Sequence, residues 1–424
     1  MKHQRFPVFL WFLLGLVPLF AQELYWEDPR LFSTQSGSFP VSAYRGDLSV
    51  VAWQETTRTD SGGQINISLA VKQGRAPWIL RSQVAAYSYA GTEPAILSAA
   101  IDARGRILIA AAASGTETDI LISSDLGETF DRYQLELGSE SSVAPRIFTR
   151  SDGGYLLFVT RGTTREGLSL YYSRSDDGIT WTGFQSFVTE QGRNFNFLPS
   201  YVSFNGRDYV LYQSQVPGLA DVGPTFQLFL KSSRDNGMSW SQSVRITGFR
   251  DFITPDANPD EFDNQRPHLS VQQGKLFAVW ERRYQSQAPQ IYGTHLNNDG
   301  SISGAPNKIN VDNAYCNNPM AFTLKGNTMV VWFDNSQGSN RIMMASEDGS
   351  GWSRGTDLSR GLGGDASFGR PVIVGDTLTI FWQSSRQGQD RIYSLSPDTS
   401  IGQPQILTRN FVSGRRTRNS TALI

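Results

Sequence analysis

A chain of 424 residues with 38 basic and 39 acidic side chains carries a formal charge of −1, which excludes nucleic acid as a partner reached through bulk electrostatics. Its single cysteine excludes an internal disulfide, and its three histidines leave little for a zinc centre or a serine triad. Any chemistry must come mainly from carboxylates, arginines and tyrosines, a restriction that points toward carbohydrate.

The first 21 residues differ from all that follows. Lys2 and Arg5 precede an apolar run from Phe6 to Phe20, and Ala21 offers a small residue for cleavage. A run of about 15 residues is short for a membrane span and reads as a secretory signal peptide. The mature protein is therefore expected to be exported, periplasmic or extracellular, with no stable transmembrane span once the leader is removed. An uncleaved anchor is the alternative.

From residue 22 to about 410 the sequence repeats itself. A proline opens an apolar stretch at Pro40, Pro94, Pro145, Pro199, Pro267, Pro319 and Pro371. After it come a short strand, a Gly/Asn/Asp turn and a second apolar strand, as in Leu48 to Trp53, Leu276 to Trp280, Met329 to Trp332 and Leu378 to Trp382. A third strand then runs into an acidic turn, and a weaker fourth closes the unit. The acidic turn reads Ser123-x-Asp125-x-Gly127-x-Thr129-Phe130 and Ser233-x-Asp235-x-Gly237-x-Ser239-Trp240. Between these lies Asp176-x-Gly178-x-Thr180-Trp181, with Arg174 taken as the residue in place of serine, and a shortened copy follows at Ser346-x-Asp348-Gly349. The unit near 290–302 keeps only Asn297-Asn298-Asp299-Gly300.

Four β-rich runs per period of roughly 50 residues make one propeller blade. The expected fold is all-β: one β-propeller domain over 22–410, built from four-stranded antiparallel blades. Seven prolines imply seven blades; six would follow if the first unit supplied only a closing strand. The ring closes through either Gln405–Thr408 or the segment around Leu31-Phe32. Proline is placed at the first residue of each inner strand, where its missing donor costs least. Residues 411–424, with Arg415, Arg416 and Arg418, read as a flexible basic tail.

The S-x-D-x-G-x-T-W turn resembles the Asp-box, or BNR repeat, of the sialidase superfamily. The resemblance implies that Asp125, Asp176, Asp235 and Asp348, with Gly127, Gly178 and Gly237, are structural turn residues away from the ligand face. It also implies, for a sialidase, three arginines gripping a sugar carboxylate, a tyrosine–glutamate nucleophile and a separate aspartate. Arginine adjoins the proline in Pro145-Arg146, Arg266-Pro267 and Arg370-Pro371, so Arg146, Arg266 and Arg370 are the candidate ligand clamp. The family's first arginine motif is absent: Ser38-Phe39-Pro40 has no arginine, Arg45 lies beyond the turn, and Asp60 is the nearest offer for the acid. No catalytic residue is assigned; Glu281, Tyr284 and Asp334 are candidates. A second polar ring, Glu55, Arg161, Glu281, Asp334 and Arg386, follows the second strands.

Two insertions break the period, Gln215 to Thr225 and Phe249 to Asn264. In the second, Asp256, Asn258 and Asp260 alternate as in a calcium loop, although Glu261 stands where such loops place glycine. Calcium is the only cofactor the sequence raises. Cys316 is expected to be a buried passenger, and His268 a hydrogen-bonded wall residue of the channel. Three functions remain open: a scaffold binding a glycan or an extracytoplasmic protein, a sialidase-type glycoside hydrolase, and an envelope assembly protein.

Overall fold

A computed structural model describes residues 26–397, apart from 34–35, 91–93, 115, 138–141, 164–166, 191–192, 194, 220–222, 251–253, 349–350 and 387. The leader, the basic tail and Gln405–Thr408 lie outside the described residues.

Seven antiparallel sheets follow one another in chain order. The first blade holds Ser38–Arg45, Leu48–Thr59, Gly62–Gln73 and Ile79–Ala90. Later blades start at Leu97, Ser142, Asn196, Phe262, Cys316 and Asp365. The six-blade alternative falls because the first unit forms a full blade. The seventh takes its outer strand from the other end of the chain: Arg30–Leu31 pairs with Ser394 and Tyr393, so the N-terminal segment closes the ring. Beside that strand, Phe32 sits edge-on to Phe381 at 4.8 Å and to Trp78 at 5.8 Å.

The second strand of each blade is its driest. Trp280, Trp332 and Trp382 are fully buried, and Trp53 nearly so. Alternation on a sheet packed on both faces puts one side chain into each neighbouring blade. Three of the four indole N–H groups reach acceptors within the blade: Trp332 donates to Asp334 at 3.0 Å, Trp53 to Glu55 at 3.2 Å, and Trp280 to Asn264 at 2.9 Å.

The acidic turns are built as expected in two blades. Asp125 accepts from the N–H and hydroxyl of Thr129 and from Ser123, which holds its carboxyl down at about 2. Asp235 does the same with Ser239 and Ser233. Leu126–Gly127 and Asn236–Gly237 all have positive φ, which glycine adopts without strain. A Cβ on Gly127 would stand 3.0 Å from Leu69, and one on Gly237 3.0 Å from Leu156. The turn glycine is where each blade rests on the preceding one. At Asn297–Gly300, Asp299 accepts from Ser301, and the turn survives without the full motif.

The third blade corrects the alignment. Asp177, not Asp176, accepts from Ser175, Ile179 and Thr180, while Ser175 accepts from Gly178. This copy is one residue shorter between aspartate and glycine, so Arg174 never held the serine's place. Asp176 is instead an exposed partner of the buried Arg150, at 2.6 Å. Asp177→Ala is expected to cost about 1 kcal/mol through lost turn hydrogen bonds. Because Asp177 is held below the ordinary carboxylate range, that contribution is present at neutral pH and fades as pH falls through its folded value. Chemical denaturation of Asp177→Ala against wild type at pH 7 and pH 3 checks both statements. Asp348 ends the strand Arg341–Asp348; its side chain lies outside the described set.

Candidate functional site at the channel mouth

The prolines do not begin the inner strands. Most sit within them at a β-bulge, where register shifts between Ser38 and Val41, Val143 and Arg146, Phe197 and Ser200, Gln265 and His268, Asn317 and Met320, and Ser367 and Arg370. A bulged residue is left out of the ladder, so proline loses no hydrogen bond there. The residue before it is left-handed at Phe39, Leu198, Arg266 and Asn318, with φ between 49° and 54°. In the seventh blade this role falls to Phe368-Gly369, two residues before Pro371.

Bulge phase decides where each arginine points. Arg146 and Arg370 are the first residues after their bulges and line the central channel. Arg266 lies inside its bulge, and His268 occupies the register position equivalent to the other two. All three arginines line the channel, with Arg266 inside its bulge and the other two just after theirs. Arg266 turns to Glu281, Nη1 to Oε2 at 2.7 Å.

Glu281 belongs to a set that only the register exposes. Opposite the last residue before the bulge stand Gln54, Thr160, Gln213, Glu281, Phe333 and Gln383. Gln383 accepts from Phe39 N–H, Gln213 from Arg266 N–H, Gln54 from Ile96 N–H, and Glu281 from Asn318 N–H at 2.6 Å. Each latches its blade to the next. Glu281 alone is a carboxylate; burial pushes its carboxyl up, and Arg266 pulls it partly back.

The other catalytic candidates are occupied elsewhere. The Tyr284 hydroxyl donates to Glu261 at 3.1 Å, and this bond raises its pKa. Asp334 is buried under Trp332 and Ser336. In the acidic insertion, Asn258 caps the turn Pro259–Glu261 by accepting from Asp260 N–H. Asp260 pairs with Arg245 at 2.6 Å, and Asp256 does not join them in a cage. Among the described residues no three His, Cys, Asp or Glu converge on one point. Cys316 is buried with its thiol pushed up by desolvation.

What the structure does bring to the mouth is aromatic. Phe39 and Phe368, both bulge residues, lie 5.5 Å apart, and Phe333 lies 6.0 Å from Phe368. All three rings are half-buried. On the fourth and fifth blades a groove of about 900 Å³ runs between the two insertions, with Leu219, Phe226, Asp263, Gln265, Arg283 and Gln285 along it. Phe197 backs Phe226 at 5.3 Å. Asp263 is the groove's hub: it accepts from Phe226 N–H at 2.9 Å and from Arg283 at 3.0 Å. Gln265 faces the groove while Arg266, next in the chain, faces the channel. The aromatics were missed because their signal, an aromatic beside the bulge proline or glycine, reads in sequence as ordinary core.

No family model matches the chain, and no curated relative matches it. Among solved structures, a family 25 polysaccharide lyase, an ulvan lyase bound to -[GlcA(1-4)Rha3S]-, superposes with a TM-score of 0.57 at 11% identity, covering 86% of this chain and 95% of its own. The polysaccharide lyase Uly1 gives 0.55 at 12% identity over 91% and 94%. A protein of unknown function from Dyadobacter fermentans gives 0.50 at 12% identity over 88% and 97%. The chain shares its fold with these proteins: it is a β-propeller of seven blades.

Proposed function

We propose that this protein is an exported propeller that binds a glycan across the channel mouth and the adjoining groove. The observation that carries the reading is the mouth's surface: half-buried Phe39, Phe333 and Phe368, then the Arg266–Glu281 pair, then a groove with Phe226, Asp263 and Arg283. Aromatic faces stack on the apolar faces of sugars, and paired charges beside them take hydroxyls or an acidic substituent. The rigid bulges hold these groups before any ligand arrives, which limits the entropy cost of binding. The fold shared with polysaccharide lyases favours a polysaccharide over a protein partner. Export rests on the leader alone.

The Tyr284–Glu261 pair stands at the groove while the three arginines line the channel, and this separation weighs against sialidase chemistry. Glu281 is the one mouth carboxylate with a raised pKa, and its latch position offers a clean separation of roles. Glu281→Gln keeps an acceptor for Asn318 N–H, as Gln213 and Gln383 do in their blades, and should change stability by less than about 1 kcal/mol. The test is affinity electrophoresis against ulvan, a neutral glucan and an arabinan, with ultraviolet absorbance monitored for unsaturated uronide. Retarded migration on one polysaccharide, weakened at least about tenfold in Phe368→Ala and Phe226→Ala, is the expected result. No retardation by any of them in folded protein overturns the reading. Turnover abolished in Glu281→Gln would make the protein an enzyme.

A further inference from the structure

The channel holds a cavity of about 310 Å³. Its wall bears Arg146, Arg266, Arg370 and His268, and no aspartate or glutamate. Inner strands of neighbouring blades exchange hydrogen bonds through the first residue after the bulge or its equivalent. Ser98 accepts from Ile147 N–H, Ser200 from Leu269 N–H at 2.8 Å, and His268 Nδ1 from Ala321 N–H at 3.2 Å. Accepting in this way leaves each seryl O–H free to donate. It also fixes neutral His268 as the tautomer carrying its proton on Nε2.

Arg146 and Arg370 stand at the same level on the third and seventh blades. Their hydrogen bonds go to neutral acceptors: Arg146 to Leu97 O at 3.3 Å; Arg370 to Pro40 O at 2.9 Å and Met320 Sδ at 3.2 Å. Burial, with Arg146 as neighbour, pulls Arg370 down to about 10. Two enclosed like charges without a counter-charge are costly.

We propose that this cavity is an anion site, in which an inorganic oxyanion of the sulfate or phosphate class sits between Arg146 and Arg370 and accepts from His268 Nε2–H, Ser98 and Ser200. The donors come from the second, third, fourth, fifth and seventh blades, so the ion ties the ring together at its axis. Guanidinium forks match tetrahedral oxyanions bidentately, and the wall offers donors in excess of acceptors. The site is independent of the glycan reading, since it needs neither the groove nor the phenylalanines.

The experiment is calorimetric titration of the full chain with sodium sulfate and with sodium phosphate at constant ionic strength, on wild type, Arg146→Gln and Arg370→Gln. Thermal midpoints are taken with and without sulfate, and folding is checked by circular dichroism. Saturable one-to-one binding in wild type, weakened at least about tenfold in either variant, is expected. Without sulfate, Arg146→Gln should melt no lower than wild type, because it removes a repulsion; with sulfate, the order should reverse. Absence of saturable binding, equal affinity in the variants, or binding of glucuronate but not of sulfate would overturn the proposal. If Arg370→Gln does not fold, Arg146→Gln alone decides.

Discussion

Trp280→Ala is expected to lower unfolding free energy by about 4 kcal/mol, the largest effect of any single change considered. The indole has no exposed surface and packs among Tyr209, Leu228, Leu269 and Tyr292, from the fourth and fifth blades. Its N–H donates to Asn264, which also accepts from Arg282 and donates to Gln227. Truncation opens a cavity between two blades and strips one donor from a buried polar network that anchors the start of strand Phe262–Gln272. Trp280→Phe keeps most of the packing and removes only the donor, and should cost about 1–2 kcal/mol. Denaturant unfolding of both variants separates the terms; near-equal midpoints would show that the hydrogen bond outweighs the cavity. Since the same strand carries Asp263 and Arg266, Trp280→Ala should also loosen the mouth.

The second large effect is one of pH. Burial, and then the neighbouring Arg370, pull His268 down to about 4 from its ordinary 6.5. Between those values the unfolded chain binds a proton that the folded chain refuses. Stability therefore falls as pH drops from about 6.5 to about 4, levels below that, and is unaffected by this group above it. Full burial would set the loss near 3 kcal/mol; with channel water screening part of it, about 2 kcal/mol is expected. His268→Gln retains an acceptor for Ala321 N–H and should lack this share of the acid slope. The charged groups that face His268 across the cavity are Arg146, Arg266 and Arg370, so no carboxylate offsets the effect. Melting temperatures of wild type and variant from pH 7 to pH 4 supply the comparison. Parallel curves would place the acid sensitivity elsewhere.

The blade repeat was legible because its turn obeys local chemistry. Asp125 and Asp235 satisfy backbone N–H groups within four residues, and Gly127 and Gly237 occupy conformations that demand glycine. Asp176 misled because a one-residue deletion leaves two adjacent aspartates, and only hydrogen bonds distinguish Asp177 from its neighbour. The register of the arginines was hidden for a related reason. Proline adjacency placed Arg146, Arg266 and Arg370 in one class, and all three line the channel, but their places in the ladder differ with distance from the bulge. Arg146 follows its bulge proline, Arg266 precedes it, and Pro371 is not a bulge residue at all. The latch series Gln54, Gln213, Glu281 and Gln383 has no sequence signature, because it depends on which residue opposes which across the first pair of strands.

The closure of the ring by Arg30–Leu31 has a consequence for how the protein is made. The segment that completes the seventh sheet leaves the ribosome first, and its partner strand Gln389–Leu395 is among the last to be synthesised. Until then Phe32 has no Phe381 to rest against, and the first blade has no seventh to abut. Six blades can stack progressively as they emerge, yet the circle stays open, with one exposed flank at each end, until the chain is nearly complete. Its final two-residue pairing then works as a clasp. Deleting residues 26–33 should leave seven recognisable sheets, the seventh without its outer strand, and the first blade held to it only by inner contacts such as Phe39–Gln383 and Arg370–Pro40.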